Sequence, residues 1–408
     1  MLRSMFSAIS GLRAHQVMMD VIGNNIANVN TVGFKSGRVN FQDILSQTFR
    51  GASAPNNGLG SVNPAQVGLG VTVAGIDVLH TQGNLQSTGR LTDMAIQGDG
   101  MFVLSDGSRQ FYTRDGSFDI SLDGTLVNPA IGMKVQGWVA NANGVVDTTT
   151  AVTNVSIPLG QRTTALATST SALRGNLDAG AAVGATASTT INVFDTLGVR
   201  HSVKITFTKT AANAWDWAAA TDPTDAGTTT TSTGTASFTS GGLLSASTGT
   251  VDLDFTNGAT TPASIPLDLT AMTQFSGNSA VSGTTNGFTS GTLVTFTIGA
   301  GGDITGVYTN GQTQLLGQIA MAAFVNPGGL LRQGQNLFGE SSASGAASIG
   351  EPGVGGRGSV STGSLEMSNV DLATQFTGMI TAERGFQANG RVITTSDEML
   401  QELVNLKH

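Results

Sequence analysis

Aspartate residues that could coordinate a metal ion recur in one segment of the chain. Four Asp-Gly pairs lie between Gln97 and Val127 and alternate with short apolar runs. Oxygen-rich clusters of this kind can bind calcium, but the run Asp115-Gly116-Ser117-Phe118-Asp119 lacks the residue order of an EF-hand loop. In each of the four pairs the aspartate is followed by the glycine that a two-residue hairpin turn requires. The spacing therefore predicts a β-meander, and we assign no metal site.

Two further patterns could suggest an enzyme. Residues 353–358 satisfy the G-x-G-x-x-G motif of dinucleotide-binding proteins, but no strand directly precedes them and no βαβ unit surrounds them. The histidines are scattered singly, so a Ser-His-Asp triad cannot be placed from spacing. Cysteine is absent, which removes thiolate nucleophiles, disulfides and Cys-containing zinc sites. We expect no catalytic residue, no cofactor and no metal, and hence a protein that is not an enzyme.

The composition favours a subunit of an assembly. Only 11% of the 408 residues are charged, against ~25% in ordinary globular chains, and poorly charged surfaces are often covered by partners. The net charge is -8 without a basic tract, which argues against a nucleic-acid partner. No apolar run approaches the ~18 residues of a membrane span. The first thirty residues also lack the plan of a secretory signal peptide, so we expect export by another route.

Both ends of the chain carry long amphipathic segments that predict helices. Near the C-terminus a column of apolar residues recurs every seven positions, with others beside it: Leu365, Leu372, Phe376, Met379, Phe386, Ile393, Leu400 and Leu403. The N-terminal segment presents Leu2, Phe6, Ile9, Leu12, Met19, Ile22 and Ile26. A helix with one apolar face must bury it, so we expect these faces to contact each other or neighbouring copies. We predict that these side chains form an assembly interface.

The two ends also carry opposite charge. Residues 1–42 contain four basic side chains against one acidic side chain, whereas residues 366–408 contain six acidic against three basic. Exposed ion pairs are worth only ~0.2–1 kcal/mol each. The charges would therefore bias alignment, while apolar burial supplies the energy.

The whole chain reads as a mainly β, multidomain protein with α-helical termini and two nested β-domains. Ser368, with Asp371 three residues later, predicts a capping box at the start of the C-terminal helix. The expected segments are an N-terminal helix (1–30), a linker (31–70), a first β-domain in two parts (71–146 and 290–341), an inserted middle β-domain (147–289), a Gly/Ser-rich linker (342–362) and a C-terminal amphipathic helix (363–408).

Two segments resemble the signatures of the flagellar rod, hook and hook-associated axial proteins. The N-terminal one carries Asn24, Asn25, Ala27, Asn28, Thr31, Gly33 and Phe34. The C-terminal one carries Asn369, Val370 and Asp371, followed by Gln387, Ala388 and Asn389. The stretch Leu91–Phe102 resembles the first β-domain of the same family, and Ala323–Leu330 resembles its hook members.

The resemblance implies a structural subunit of the bacterial flagellar hook. Such a subunit forms a homopolymer of many copies, a short, curved, hollow tube that acts as a universal joint between rod and filament. The terminal helices would pair as a coiled-coil-like inner layer. The implied neighbours are rod proteins on one side and hook-filament junction proteins on the other, with a hook-cap protein and the export apparatus acting during assembly. The implied location is extracellular, after flagellar type III export without a cleaved signal peptide.

Two alternatives stay open at this point. A distal rod or hook-associated axial protein shares both signatures, although the rod interpretation predicts a shorter chain without residues 147–289. A secreted Ser/Thr-rich adhesin fits the middle domain alone. That class leaves the terminal helices and both signatures unexplained.

Overall fold

The computed structural model describes residues 2–52, 54, 61–141, 144–221, 228–229 and 232–405. The chain is mostly β-structure with one long helix near each terminus, as the sequence predicts. It divides into two compact units. The first contains Met1–Ile157, Thr297–Thr305 and Leu315–His408, and the second contains Pro158–Phe296 and Gly306–Gln314. The second unit thus begins and ends later than the insert expected at 147–289.

The first unit opens with a helix and a long β-hairpin. Its elements are α1 (Leu2–Ala27), β1 (Gly37–Asp43), β2 (Ser46–Arg50), β3 (Ala65–Gly68) and β4 (Val71–Val78). Strand β1 pairs antiparallel with β4, and β2 pairs antiparallel with β3. A hairpin therefore occupies the region expected to be a linker at 31–70. The sequence of this region is polar and contains Gly and Asn, so it does not predict strands. The strands form because they pair with residues distant in sequence.

The first β-domain follows within the same unit. Its strands are β5 (Leu85–Ser87), β6 (Met94–Gln97), β7 (Met101–Ser105), β8 (Gln110–Thr113), β9 (Asp119–Ile120), β10 (Leu126–Val127), β11 (Lys134–Val139) and β12 (Thr153–Asn154). Asp106-Gly107 connects β7 to β8, and Asp123-Gly124 connects β9 to β10, in each case with the glycine at positive φ. Two of the four Asp-Gly pairs therefore form hairpin turns as expected.

The second unit is built from two five-stranded sheets. Its strands are β13 (Ser171–Asn176), β14 (Thr186–Phe194), β15 (Arg200–Ala211), β16 (Ala214–Thr221), β17 (Thr228–Thr229), β18 (Thr233–Phe238), β19 (Leu244–Ser247), β20 (Thr250–Phe255), β21 (Ala263–Thr273) and β22 (Ala280–Thr285). The sheet orders are β17-β20-β21-β13-β22 and β14-β15-β16-β18-β19. Alternate residues of both sheets, with Trp215 and Trp217 among them, share one buried core.

Over the remaining elements the chain enters the first unit at Thr297, passes through the second again over Gly306–Gln314, and then stays in the first. They are β23 (Leu293–Ile298), β24 (Asp303–Tyr308), β25 (Thr313–Ile319), β26 (Met321–Ala323), a 3₁₀ turn (Pro327–Gly329), β27 (Leu331–Gly334), β28 (Leu337–Gly339), β29 (Ser348–Gly350), β30 (Ser359–Thr362), β31 (Ser364–Glu366) and α2 (Leu372–Asn405). Strand β29 pairs with β26, and β30 pairs with β6. The segment 342–362 is thus part of the folded domain rather than a linker.

The C-terminal helix begins later than the expected residue 363. Leu365 lies in β31, which pairs with β5, so it is not part of the helical column. Asp371 caps α2, since its Oδ1 accepts the Ala373 N–H at 2.9 Å and its Oδ2 accepts the Thr374 hydroxyl at 2.7 Å. These hydrogen bonds lower the pKa of Asp371. The prediction of Ser368 as N-cap was wrong, because α2 begins only at Leu372 and Asp371 supplies the capping oxygens.

Candidate assembly site at the paired termini

Helices α1 and α2 run antiparallel and approach each other through small residues. A side chain at Gly11 would lie 2.7 Å from Asn389 Nδ2, and one at Gly385 would lie 2.5 Å from His15 Nε2. Ala382 is fully buried. Residues without large side chains let two backbones come close. We call this contact the small-residue seam; it contains Gly11 on α1 and Gly378, Ala382 and Gly385 on α2.

Most of the predicted interface side chains flank this seam instead of filling it. Phe6, Leu372, Phe376 and Phe386 are exposed, at 67%, 40%, 51% and 40%. Ile22 is buried against Gly378. The half-buried members are Ile9, Leu12, Met19, Ile26, Met379, Ile393 and Leu400. The side chains of Leu2 and Leu403 lie outside the described residues. The apolar column of α2 is therefore only partly covered within one chain.

Asn25 of the N-terminal signature joins three elements. Its Nδ2 donates to the Gly37 carbonyl at 2.8 Å, and its Oδ1 accepts the Gly37 N–H at 2.9 Å. The same Nδ2 donates to Gln375 Oε1 on α2 at 3.0 Å. Asn25 is buried, so these bonds satisfy a side chain that would otherwise be costly to desolvate. It fixes the exit of α1 against both β1 and α2.

The next signature residues form the turn that ends α1. Asn28 Nδ2 donates to the Asn24 carbonyl at 2.9 Å, and Asn28 Oδ1 accepts the Thr31 hydroxyl at 3.1 Å. Ala27 is exposed as the last residue of the helix. Asparagine suits this position because its short side chain hydrogen-bonds nearby backbone and turn groups.

Gly33 and Phe34 dock this turn on the first β-domain. Gly33 has a φ of 69°, and a side chain there would lie 2.6 Å from the Asp115 backbone nitrogen. Both the conformation and the close approach therefore require glycine. Phe34 is buried, with the Arg332 guanidinium 5.2 Å from its ring centroid.

The C-terminal signature begins with an asparagine in an equivalent role. Asn369 Oδ1 accepts the Ser36 N–H at 2.8 Å, and its Nδ2 donates to the Leu79 carbonyl at 2.8 Å and to Thr81 Oγ1 at 2.9 Å. Val370 is half-buried beside it. Asn369 therefore ties the start of the C-terminal segment to the chain that follows α1 and to the chain that follows β4.

The later signature residues lie on α2 and differ in environment. Gln387 is exposed and donates to Glu383 Oε1 at 3.2 Å, one helical turn earlier. Ala388 is exposed, whereas Asn389 is half-buried against Gly11. The signature is therefore not one continuous surface: part of it holds the chain together and part of it faces outward.

A buried ion cluster, which the sequence did not predict, connects the three recognisable segments. Glu366 is fully buried, with Lys35 Nζ 2.6 Å from its Oε1 and Arg114 Nη1 3.0 Å from its Oε2. The Gly83 N–H also donates to Oε1 at 2.8 Å. Burial lowers the pKa of Lys35, and the Glu366 carboxylate opposes that shift. The signals available in the sequence were two basic residues: Lys35 at the end of the N-terminal signature, and Arg114 directly before the Asp115-Gly116 pair.

His80 lies near this cluster among positive charges. The centroid of its ring lies 5.5 Å from the centroid of the Phe338 ring. Burial, assisted by Lys35, Arg114 and Arg332, lowers the pKa of His80 to about 4. His80 is therefore neutral at physiological pH.

The described residues contain no group of three or more His, Asp or Glu side chains arranged to hold a metal ion. A search of that same part of the chain finds no helix with the length and apolar character needed to cross a membrane. The structure instead shows two paired terminal helices whose surface exposes several apolar side chains.

Four family models match successive parts of the chain. They are the flagella basal body rod protein (residues 5–35), the flagellar hook protein FlgE/F/G D1 domain (95–170), the flagellar basal body protein FlaE D2 domain (163–288) and the flagellar basal body rod FlgEFG protein C-terminal (361–406). The fold and the paired termini thus define an axial protein of the bacterial flagellum.

Full-length relatives narrow the assignment. The chain is 42% identical to the flagellar hook protein FlgE of Treponema pallidum and 40% identical to that of Borreliella burgdorferi, in each case over all of both chains. It is also 34% identical to the flagellar basal-body rod protein FlgG of Bacillus subtilis over all of both chains. The chain belongs to the flagellar hook protein FlgE family.

A solved structure has the same fold. The crystal structure of Helicobacter pylori flagellar hook protein FlgE2 matches 65% of this chain and 98% of its own chain, with a TM-score of 0.53 at 14% identity. At that identity the likeness concerns the fold alone.

Proposed function

We propose that the chain is the structural subunit of the bacterial flagellar hook and polymerises through its terminal helices into a short, curved, hollow tube. The tube links the rod to the filament and transmits motor torque as a universal joint. The observation that carries the proposal is the exposed apolar column of α2, represented by Leu372, Phe376 and Phe386. Exposed apolar side chains aligned on one helix indicate a surface that another molecule covers.

The energetics favour neighbouring helices as that cover. Burying a large apolar side chain contributes ~1.5–3 kcal/mol, and the same contribution recurs in every subunit of a polymer. The small-residue seam is formed by glycine and alanine residues. The large side chains of the apolar column therefore remain exposed and can contact a neighbouring copy. Each helix pair can thus hold itself together and still contact other copies.

The two β-units would supply the outer parts of the tube. The second unit is rich in Thr, Ser and Gly and poor in charge. Bending requires contacts between neighbouring subunits to slide, and a surface with few fixed ion pairs offers little resistance to sliding. This step rests on composition.

The specific partners come from family membership. We infer rod proteins at one end of the tube, hook-filament junction proteins at the other, and a hook-cap protein and the export apparatus during assembly. We place the assembled protein outside the cell, after type III export without a cleaved signal peptide. We also infer a structural rather than catalytic role, because the named hook relatives are structural proteins.

A rod subunit is the second candidate. The relative named as a basal-body rod protein aligns with the complete chain, including the inserted unit. The presence of residues 147–289 therefore does not separate hook from rod by itself. The adhesin class has no support among these relatives.

Electron microscopy of the purified, concentrated protein tests the proposal. A hook subunit forms curved hollow tubes, and a rod subunit forms straight ones. Absence of any tube, under conditions in which the β-units remain folded, contradicts a polymerising subunit.

A further inference from the structure

A groove lies between α1 and the β1–β4 hairpin. Its volume is about 620 Å³, and its lining includes Phe6, Ile9, Arg13, Ile44 and Leu69. Phe6 and Ile44 are exposed at 67% and 53%. The groove is therefore an apolar surface with one strong positive charge, and the described residues leave it open to solvent.

One contact between the helix and the hairpin fixes the distance between the two walls of the groove. Ser10 Oγ accepts the Val71 N–H at 3.1 Å. Gly70 has a φ of 129°, and any side chain there would collide with Ser10. A rigid contact between the two walls makes a preformed docking surface.

The end of α2 extends past the end of α1. Gly11 lies opposite Asn389, and Asn25 opposite Gln375. This antiparallel register places the first residue of α1 level with about residue 398, so that residues 399–405 project ~10 Å beyond the pair at 1.5 Å per residue. We call residues 399–405 the overhang. Because α2 is continuous to Asn405 and runs away from the groove, its own overhang cannot reach that groove.

The overhang and the groove have complementary chemistry. Met399 and Val404 are exposed at 46% and 65%. Asp397, Glu398 and Glu402 give this end three acidic side chains and no basic one up to Asn405, whereas residues 2–19 carry Arg3 and Arg13 without an acid. Within the described ranges, Glu398, Glu402 and Arg13 form no ion pair.

We propose that the overhang of one copy occupies the α1–hairpin groove of a second copy. Met399 enters the apolar lining, and Glu402, three residues later on the same side of α2, lies beside Arg13 of the second copy. This inference rests on the proposed function, since it requires a polymer. It names the head-to-tail contact that continues each helix pair into the next, which is distinct from the lateral apolar column.

Engineered cysteines test the contact cleanly, because the natural chain contains none. The double variant Ile44→Cys/Met399→Cys is polymerised, oxidised and run on a non-reducing denaturing gel. We expect a ladder of covalent multimers. Each single variant, and a control pair of Met399→Cys with Val183→Cys in the second unit, should remain monomeric on the gel. A polymer that gives no ladder, or only an intramolecular disulfide, overturns the proposal.

A charge exchange provides the second measurement if cysteine perturbs assembly. Arg13→Glu and Glu402→Arg should each raise the protein concentration needed for polymer by about two- to fivefold. The double variant should return it toward the wild-type value. Unchanged single variants, or a double variant no better than the singles, contradict this contact while wild-type tubes still support the proposed function. Failure of the wild type to polymerise contradicts both.

Discussion

Glu366 and Lys35 are 331 positions apart in sequence, and their side chains meet in a buried ion pair of 2.6 Å. Lys35 lies at the end of the N-terminal signature, and Glu366 lies three residues before Asn369 of the C-terminal signature. Arg114 of the first β-domain binds the other carboxylate oxygen at 3.0 Å. The segments next to both terminal helices are thus held to the same β-domain by one buried ion cluster.

Glu366→Gln should destabilise the first unit strongly. The substitution leaves Lys35 and Arg114 buried without their counter-charge, and breaking a buried pair costs about 3–5 kcal/mol. Chemical denaturation followed by circular dichroism measures the loss. The matched control is Asp119→Asn, which breaks the Arg90–Asp119 pair at 3.2 Å, whose side chains are 59% and 52% exposed; it should cost under ~1 kcal/mol. Equal effects from the two variants would refute the structural role of the cluster.

Stability should fall in mild acid because of His80. Its pKa is lowered from 6.5 to about 4, so the unfolded chain binds a proton in this range that the folded chain does not. The stabilising contribution is therefore complete above about pH 6.5 and is lost as the pH falls towards 4. Between those limits the wild type should lose roughly 2 kcal/mol relative to His80→Phe, with allowance for partial solvent exposure. Parallel pH profiles of the two proteins would show that His80 is not responsible.

The small-residue seam should be intolerant of large side chains. Gly385→Leu must displace the His15 ring and separate the helices, at about 1–3 kcal/mol. A Cβ atom at Gly390, on the same helix, would meet no atom within 4 Å, so Gly390→Leu should be neutral or slightly stabilising. Helix content at 222 nm during thermal unfolding distinguishes the two. If Gly385→Leu unfolds like Gly390→Leu, the helices do not pair through this face.

Local patterns were enough to predict the fold class. The terminal helices follow from the helical spacing of residues such as Ile22 and Phe386, and the turns at Asp106 and Asp123 follow from Asp-Gly pairs. Helical spacing and turn residues involve only residues close together in sequence. They can therefore be recognised without knowledge of the tertiary fold.

Apart from the local error at Ser368, the errors involve partners distant in the chain. Leu365 continues the seven-residue spacing, but it pairs with Gln86 in a strand, and that pairing overrides the helical pattern. The segments 31–70 and 342–362 appear unstructured because their strand partners are elsewhere. Glu366 resembles any surface acid until Lys35 and Arg114 are placed beside it. The assembly residues stay predictions, since one chain alone does not contain the neighbouring copies that they are predicted to contact.

The most direct test of the assembly surface is polymer yield, measured together with unfolding temperature, for four single variants. Met379→Asp and Phe386→Asp place a charge in the apolar column, whereas Thr377→Asp and Thr381→Asp place one at exposed positions on other faces of α2. We predict that the first two fail to polymerise and the last two are milder, with the unfolding temperature of the β-units unchanged in all four. Normal polymers from Met379→Asp and Phe386→Asp would contradict the assembly role of the apolar column.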